Sequence, residues 1–107
     1  MDVTWRLSFH ADTWDDANEA LQYYSEIDSG LTTAFLDELS AAFIFLRQYP
    51  EGATILRTPY RRVAMRRFPY LVCYRVIRDS STVRILAIAH TQRDPRWLRT
   101  LLAKRAQ

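Results

Sequence analysis

The hydrophobic pattern of the chain predicts an α+β fold: an N-terminal helical hairpin packed on an antiparallel β-sheet of three to four strands, with a short C-terminal helix. Three observations lead there. Two apolar stripes at helical spacing, Trp14 to Ile27 and Leu31 to Leu46, are separated only by a tight connection at Ser29-Gly30. The stretch from Arg61 to Asp94 then reads as three strands in a row, with Pro69 and Asp79-Ser80-Ser81 marking the turns. Near the N-terminus, Val3 to Phe9 alternates apolar and polar residues, the period of a half-buried strand added at a sheet edge. At 107 residues the chain is expected to be one domain, 1–107, burying about two-thirds of the surface its unfolded form exposes.

After the first strand, Asp12 or Thr13 is placed to cap a helix, with Asp15 and Asp16 in the first turn, where negative charge suits the helix dipole. Trp14, Ala17, Ala20 or Leu21, Tyr24 and Ile27 form its apolar face, and Gly30 is the natural left-handed residue to stop it. The second helix carries Leu31, Phe35, Leu39, Ala42 and Leu46, ending at Tyr49-Pro50. Further apolar residues behind that stripe, Phe43, Ile44 and Phe45, suggest a helix clamped between the first helix and the sheet. Ala53 to Tyr60 reads as irregular. The strands are expected at about Arg61–Phe68, Tyr70–Arg78 and Thr82–His90.

A two-residue turn at Ser80-Ser81 would pair Val76 with Ile85 and Tyr74 with Ala87. One face of the sheet would then show Val72, Tyr74, Val76, Ile85, Ala87 and Ala89. The other would show Leu71, Cys73, Arg75, Ile77, Arg84, Leu86, Ile88 and His90. Asp94-Pro95 opens the last helix, in which Trp97, Leu98, Leu101 and Leu102 are apolar and Arg96, Arg99, Lys104 and Arg105 basic.

The net charge of +3 conceals an asymmetry. Residues 1–53 hold two basic and ten acidic residues, whereas residues 54–107 hold thirteen basic and two acidic ones. Such a division suggests an acidic partner for the second half. Only Lys104 is a lysine; the other fourteen basic residues are arginines, suited to desolvated, forked contacts with carboxylate or phosphate. A lone cysteine, Cys73, excludes an internal disulfide and reads as a small buried hydrophobe in a reducing compartment. Two histidines and one cysteine without ligand spacing predict no metal site, and two glycines leave no phosphate-cradling loop. No cofactor, small-molecule substrate or membrane association is expected, and the location expected is the cytoplasm.

The residues Tyr23-Tyr24, Pro50, Arg66-Arg67-Phe68-Pro69-Tyr70, Tyr74-Arg75-Val76, and Ile85 to His90 running into Arg93-Asp94-Pro95 form an ordered set along most of the chain. In that order they resemble the RelE/ParE superfamily of toxins from type II toxin–antitoxin modules, in its ParE-like version. The resemblance implies a toxin neutralised by a cognate antitoxin whose disordered tail folds onto it. It also implies action by binding a target, DNA gyrase, rather than by catalysis.

The basic cluster Arg61, Arg62, Arg66 and Arg67, with Tyr70, Arg75 and Arg84, is then the expected antitoxin surface. Read plainly, the same cluster is a solvated strand edge that discourages sheet-to-sheet pairing. Arg93, Arg96, Trp97 and Arg99 are the expected target-facing residues, chosen for charge density around an aromatic anchor. Asp94 either pairs with Arg93 while capping the last helix or touches the target.

The superfamily's other branch cleaves messenger RNA on the ribosome, and it defines the enzymatic alternative. Its cationic and tyrosine positions fall here on Arg62, Ala64, Leu71, Arg93 and Arg99. Ala64 and Leu71 offer no charge, and the tyrosine has become Arg99. Loss of one transition-state donor commonly costs about 10²–10³ in rate. A residual nuclease would rest on Arg62, His90 and Arg93, with His90 as the proton-transfer group. The third possibility is an inactive, toxin-derived binding module.

Overall fold

The computed structural model describes residues 4–107. Its elements are β1 (Arg6–Phe9), α1 (Asp12–Ser25), α2 (Ser29–Gln48), β2 (Thr54–Arg57), β3 (Tyr60–Ala64), β4 (Tyr70–Ile77), β5 (Thr82–His90) and α3 (Pro95–Arg105). Val3, the expected start of the first strand, lies outside the described residues. The α+β architecture holds, with two differences in the sheet. It has five strands, in the order β1-β5-β4-β3-β2, and it is mixed, because β1 pairs parallel with β5. The extra strand, β2, comes from the stretch expected to be irregular. Pro59 falls in the turn between β2 and β3, where its missing N–H removes no ladder bond.

The helical hairpin forms where the stripes place it, with different punctuation. Neither Asp12 nor Thr13 caps α1. The imidazole Nδ1 of His10 accepts from the Asp12 N–H at 3.1 Å, while Thr13 is buried against β5. Gly30 is not left-handed; it lies in the first turn of α2, and its N–H donates to the Asp28 carboxylate at 2.7 Å. Asp28, in extended backbone, is the true boundary.

Phe35, Leu39 and Leu46 of α2 and Ala17 and Ala20 of α1 pack on Val72, Tyr74, Val83, Ile85 and Ile88. Trp14 and Ile27, expected in the α1 stripe, are 49% and 59% exposed. The second helix is not clamped. Phe43 packs edge-on against Phe9, but Ile44 is 62% and Phe45 41% exposed. By length and composition α2 passes for a membrane-crossing helix, with mean hydropathy 1.3, because its core stripe and this exposed flank add up.

A second apolar cluster lies on the opposite face of the sheet, where α3 sets Leu98 and Leu102 on Cys73, Leu86, Ala87 and Ala89. Burial on both faces explains why β4 and β5 read as nearly unbroken apolar runs.

The β4–β5 hairpin differs from the expected register. Ile77 pairs with Thr82 around a short 3-10 turn, in which Ser81 adopts a left-handed φ of 49°. Val76 therefore faces Val83 and Tyr74 faces Ile85. Cys73, one residue back, faces Ala87, so Leu86 is an extra residue on β5. That bulge reverses the faces of the residues after it. Ala87 and Ala89 turn under α3, and Ile88 and His90 turn to the hairpin side, contrary to expectation.

The same stretch of β5 has lost its outer neighbour, because β1 ends opposite Ile85. Its backbone groups find side chains instead. The Ile88 N–H donates to Asp16 at 3.0 Å, and Arg105 Nη1 donates to the Leu86 carbonyl at 3.0 Å. Arg105 also forks onto Asp16 at 2.7 and 3.2 Å, and the two side chains are only 12% and 19% exposed. Breaking one side of such a pair leaves a buried charge and an orphaned backbone group. Asp16→Ala or Arg105→Ala is expected to cost about 3 kcal/mol by urea denaturation. The double variant should lose less than the two single losses combined; strict additivity would show that the pair is not the fastening.

Candidate functional site

The expected antitoxin residues do not share one surface. Arg62, Arg75 and Arg84 lie on the α3 side of the sheet: Arg62 pairs across the ladder with Cys73, and Arg75 with Arg84. Arg84 donates to Ser8 Oγ at 2.6 Å, and Arg75 Nε is buried without a hydrogen-bond partner. Two arginines directly opposite each other disfavour the sheet by a few tenths to about 1 kcal/mol. No carboxylate among the described residues lies within 4.0 Å of Arg62, Arg75 or Arg84.

Arg61 points the other way, into the hairpin side, where it donates to the carbonyls of Glu51 and Ala53 at 3.1 and 2.9 Å. Arg67 is ion-paired with Glu38 at 2.9 Å. Tyr70 lies edge-on to Phe35 and Tyr24. Arg66 keeps an exposed side chain while its N–H is held by Glu38.

Arg66 borders a groove of about 290 Å³ between α2 and β3, lined by Ala41, Ala42, Phe45, Val63, Ala64 and Met65, with Glu38 at its rim. β2 pairs with β3 only at Tyr60, Arg61 and Arg62, so the strand edge at Val63 and Ala64 is unpaired beside this groove. Sequence reasoning read Phe45 as core and missed the groove. Its signal was the apolar surplus on α2, which exceeds what one helix face can bury.

Of the residues of the enzymatic alternative, His90 and Arg93 line one cleft and Arg62 does not join them. Arg62 shares a face with Cys73, whereas His90 pairs with Tyr70 and faces the hairpin. The sheet itself separates them. His90 Nδ1 accepts from the Gln92 N–H at 3.1 Å, and its ring lies edge-on to Tyr70 at 5.2 Å. Arg93 sits 4.5 Å above the Trp97 ring. Asp94 does cap α3, accepting from the Arg96 N–H at 2.8 Å, but its ion pair is with Arg96 at 3.3 Å rather than with Arg93. The Arg96 backbone and side-chain bonds hold the Asp94 carboxyl below the usual carboxylate range.

Arg93, Arg96 and the 43%-exposed Trp97 thus form one solvent-facing rim, with Arg99 half-buried on the next turn. Beyond that rim, on the hairpin side, is a cleft of about 420 Å³ lined by Glu19, Tyr23, Tyr24, Tyr70 and His90. Among the described residues no group of three or more His, Cys, Asp or Glu side chains is placed to hold a metal ion.

Comparison with protein families finds a match over residues 7–95 to the ParE toxin of the type II toxin–antitoxin system, parDE. Comparison with curated proteins finds no match. Among solved structures, a chromosomal ParDE toxin–antitoxin system from P. aeruginosa superposes with a TM-score of 0.71 at 16% identity, covering 83% of this chain and 98% of that one. A free-state mutant of the E. coli toxin RelE gives 0.64 at 15% identity, covering 97% and 99%. The RelBE2 toxin–antitoxin complex from Mycobacterium tuberculosis gives 0.55 at 21%, covering 84% and 94%. At these identities the likeness establishes the fold.

Two groups give measurable consequences. Burial pushes the Glu38 carboxyl up, but the Arg66 and Arg67 N–H bonds and the Arg67 charge outweigh it and hold the group below its ordinary value. Stability from a carboxyl lowered in the folded state is complete above the unfolded value, about 4.3, and is lost as pH falls through the folded one. Glu38→Gln should therefore flatten the acid limb of the stability curve below about pH 5; an unchanged limb would contradict this. Burial also pushes the Cys73 thiol up to about 12. In the native chain it should resist alkylation at neutral pH and react at the rate of unfolding. Fast labelling without unfolding would show the α3 face to be open.

Proposed function

The chain belongs to the family of ParE toxins of type II toxin–antitoxin systems, and from that premise we propose that it arrests growth by docking on DNA gyrase rather than by breaking a bond. One observation carries the second half of this reading: Arg62 and His90 occupy opposite faces of the sheet, so no scissile phosphate can lie between them. Acid–base help and phosphate stabilisation must converge on the same reacting atoms. Among the three groups of the enzymatic alternative, only His90 and Arg93 are close, and Arg93 is stacked on Trp97.

The docking element in this reading is the rim of α3. Arg93 lies over Trp97, whose half-exposed ring offers the apolar anchor that protein interfaces favour, and Arg96 and Arg99 add positive charge on the same helix. A cognate antitoxin neutralises the chain, and toxin, antitoxin and target share the cytoplasm. Its docking segment seats apolar side chains in the groove between α2 and β3, beside Arg66 and the unpaired edge at Val63 and Ala64. Acidic side chains of the same antitoxin meet Arg62, Arg75 and Arg84 on the other face, while Arg61 and Arg67 stiffen the scaffold through their internal bonds. Tyr70 lies between the groove and the α3 rim as a packing residue.

The test is a DNA supercoiling assay with purified gyrase. The chain should inhibit supercoiling, and the triple variant Arg96→Ala, Trp97→Ala, Arg99→Ala should lose that inhibition while still binding antitoxin. Full inhibition by the triple variant would retire the α3 rim, and no inhibition by the unaltered chain in large excess would retire gyrase as the target.

A further inference from the structure

The acidic helix α1 meets the end of the sheet at a cleft whose chemistry differs from that of the arginine face. Along the outer face of α1 and at its C-cap, Asp15, Glu19 and Glu26 are exposed, and none is within ion-pairing distance of a basic side chain among the described residues. Glu19 lies one turn before Tyr23, so its carboxylate and that ring share a face of the helix. Tyr23, 59% exposed, meets Tyr24 edge-on at 5.2 Å; Tyr24 meets Tyr70 edge-on at 6.3 Å; Tyr70 meets His90 edge-on at 5.2 Å. None of these pairs is stacked face to face. Together they wall the cleft of about 420 Å³, which Glu19 borders.

We propose that this cleft receives an arginine side chain presented by a protein partner. A guanidinium is flat and cationic, stacks on tyrosine faces and forks onto a carboxylate, and the cleft offers both rings and Glu19. Burial, the neighbouring tyrosines and the Glu19 carboxylate push the Tyr70 hydroxyl upward, and Arg93 opposes them; of these, Glu19 is the anionic group at neutral pH. Arg93 itself is held over Trp97, and Asp16, the other carboxylate nearby, is engaged by Arg105 and the Ile88 N–H. Glu19 is therefore the acceptor left for an incoming cation.

The experiment is an NMR titration of the full chain with Ac-Gly-Arg-Gly-NH2 and with its citrulline analogue, which keeps the shape and removes the charge. The arginine peptide should give saturable shifts at Glu19, Tyr23, Tyr70 and His90, and the citrulline peptide should bind about tenfold more weakly. Glu19→Gln should cost the arginine peptide a similar factor and remove its advantage over citrulline, and Tyr23→Leu should weaken both peptides. Both positions are exposed, and unchanged thermal unfolding confirms that the variants fold. Equal binding of the two peptides, indifference to Glu19→Gln, or saturation by guanosine monophosphate with no response to arginine would each overturn the proposal. The readout is binding alone, so its failure is distinguishable from failure of the gyrase reading.

Discussion

The edge of β5 beyond the end of β1 sets the constraint on which the rest of the molecule depends. A strand edge buried there without partners would orphan backbone groups, at about 1–3 kcal/mol each. Asp16 and Arg105, 89 residues apart in the chain, close it, one taking the Ile88 N–H and the other the Leu86 carbonyl. Each side chain neutralises the other while doing so. The arrangement fixes α1 at one end of the strand and the end of α3 at the same place, so the helical hairpin and the basic helix cannot shift independently.

The bulge at Leu86 has a functional consequence as well as a structural one. In a regular ladder continuing from Tyr74 and Ile85, His90 would fall on the face that carries Arg62. One extra residue moves His90 across the sheet to pack on Tyr70. The imidazole becomes part of an aromatic wall, on the face opposite Arg62, Arg75 and Arg84. Three surfaces of distinct chemistry remain: an apolar groove along α2, an arginine face beside α3, and a tyrosine-lined cleft with a carboxylate.

Features that depend on neighbours in sequence were legible from it. The helical hairpin, the Asp94 cap and the paired strands rest on local spacing, and all formed within a few residues of where the pattern put them. The bulge was not legible, because Leu86 lies in an apolar run, Ile85 to Ala89, whose residues suit either face. Asp16 read as a first-turn helix charge because its partner, Arg105, is distant in the chain and looked like solvated basic surface. The arginine cluster at Arg61, Arg62, Arg66 and Arg67 was visible as charge, but its division between two faces and two internal partners depends on strand parity and on Glu38. The surplus apolar residues of α2 were seen and assigned to the interior, whereas Phe45 opens onto the groove.

The separation of Arg62 from His90 has its clearest consequence on the ribosome, where a nuclease of this fold would act. Purified chain in excess would be added to ribosomes translating a defined message, and the ends of the recovered RNA mapped. The ends should be the same as in the untreated reaction. Site-specific cuts that disappear with His90→Ala would contradict it.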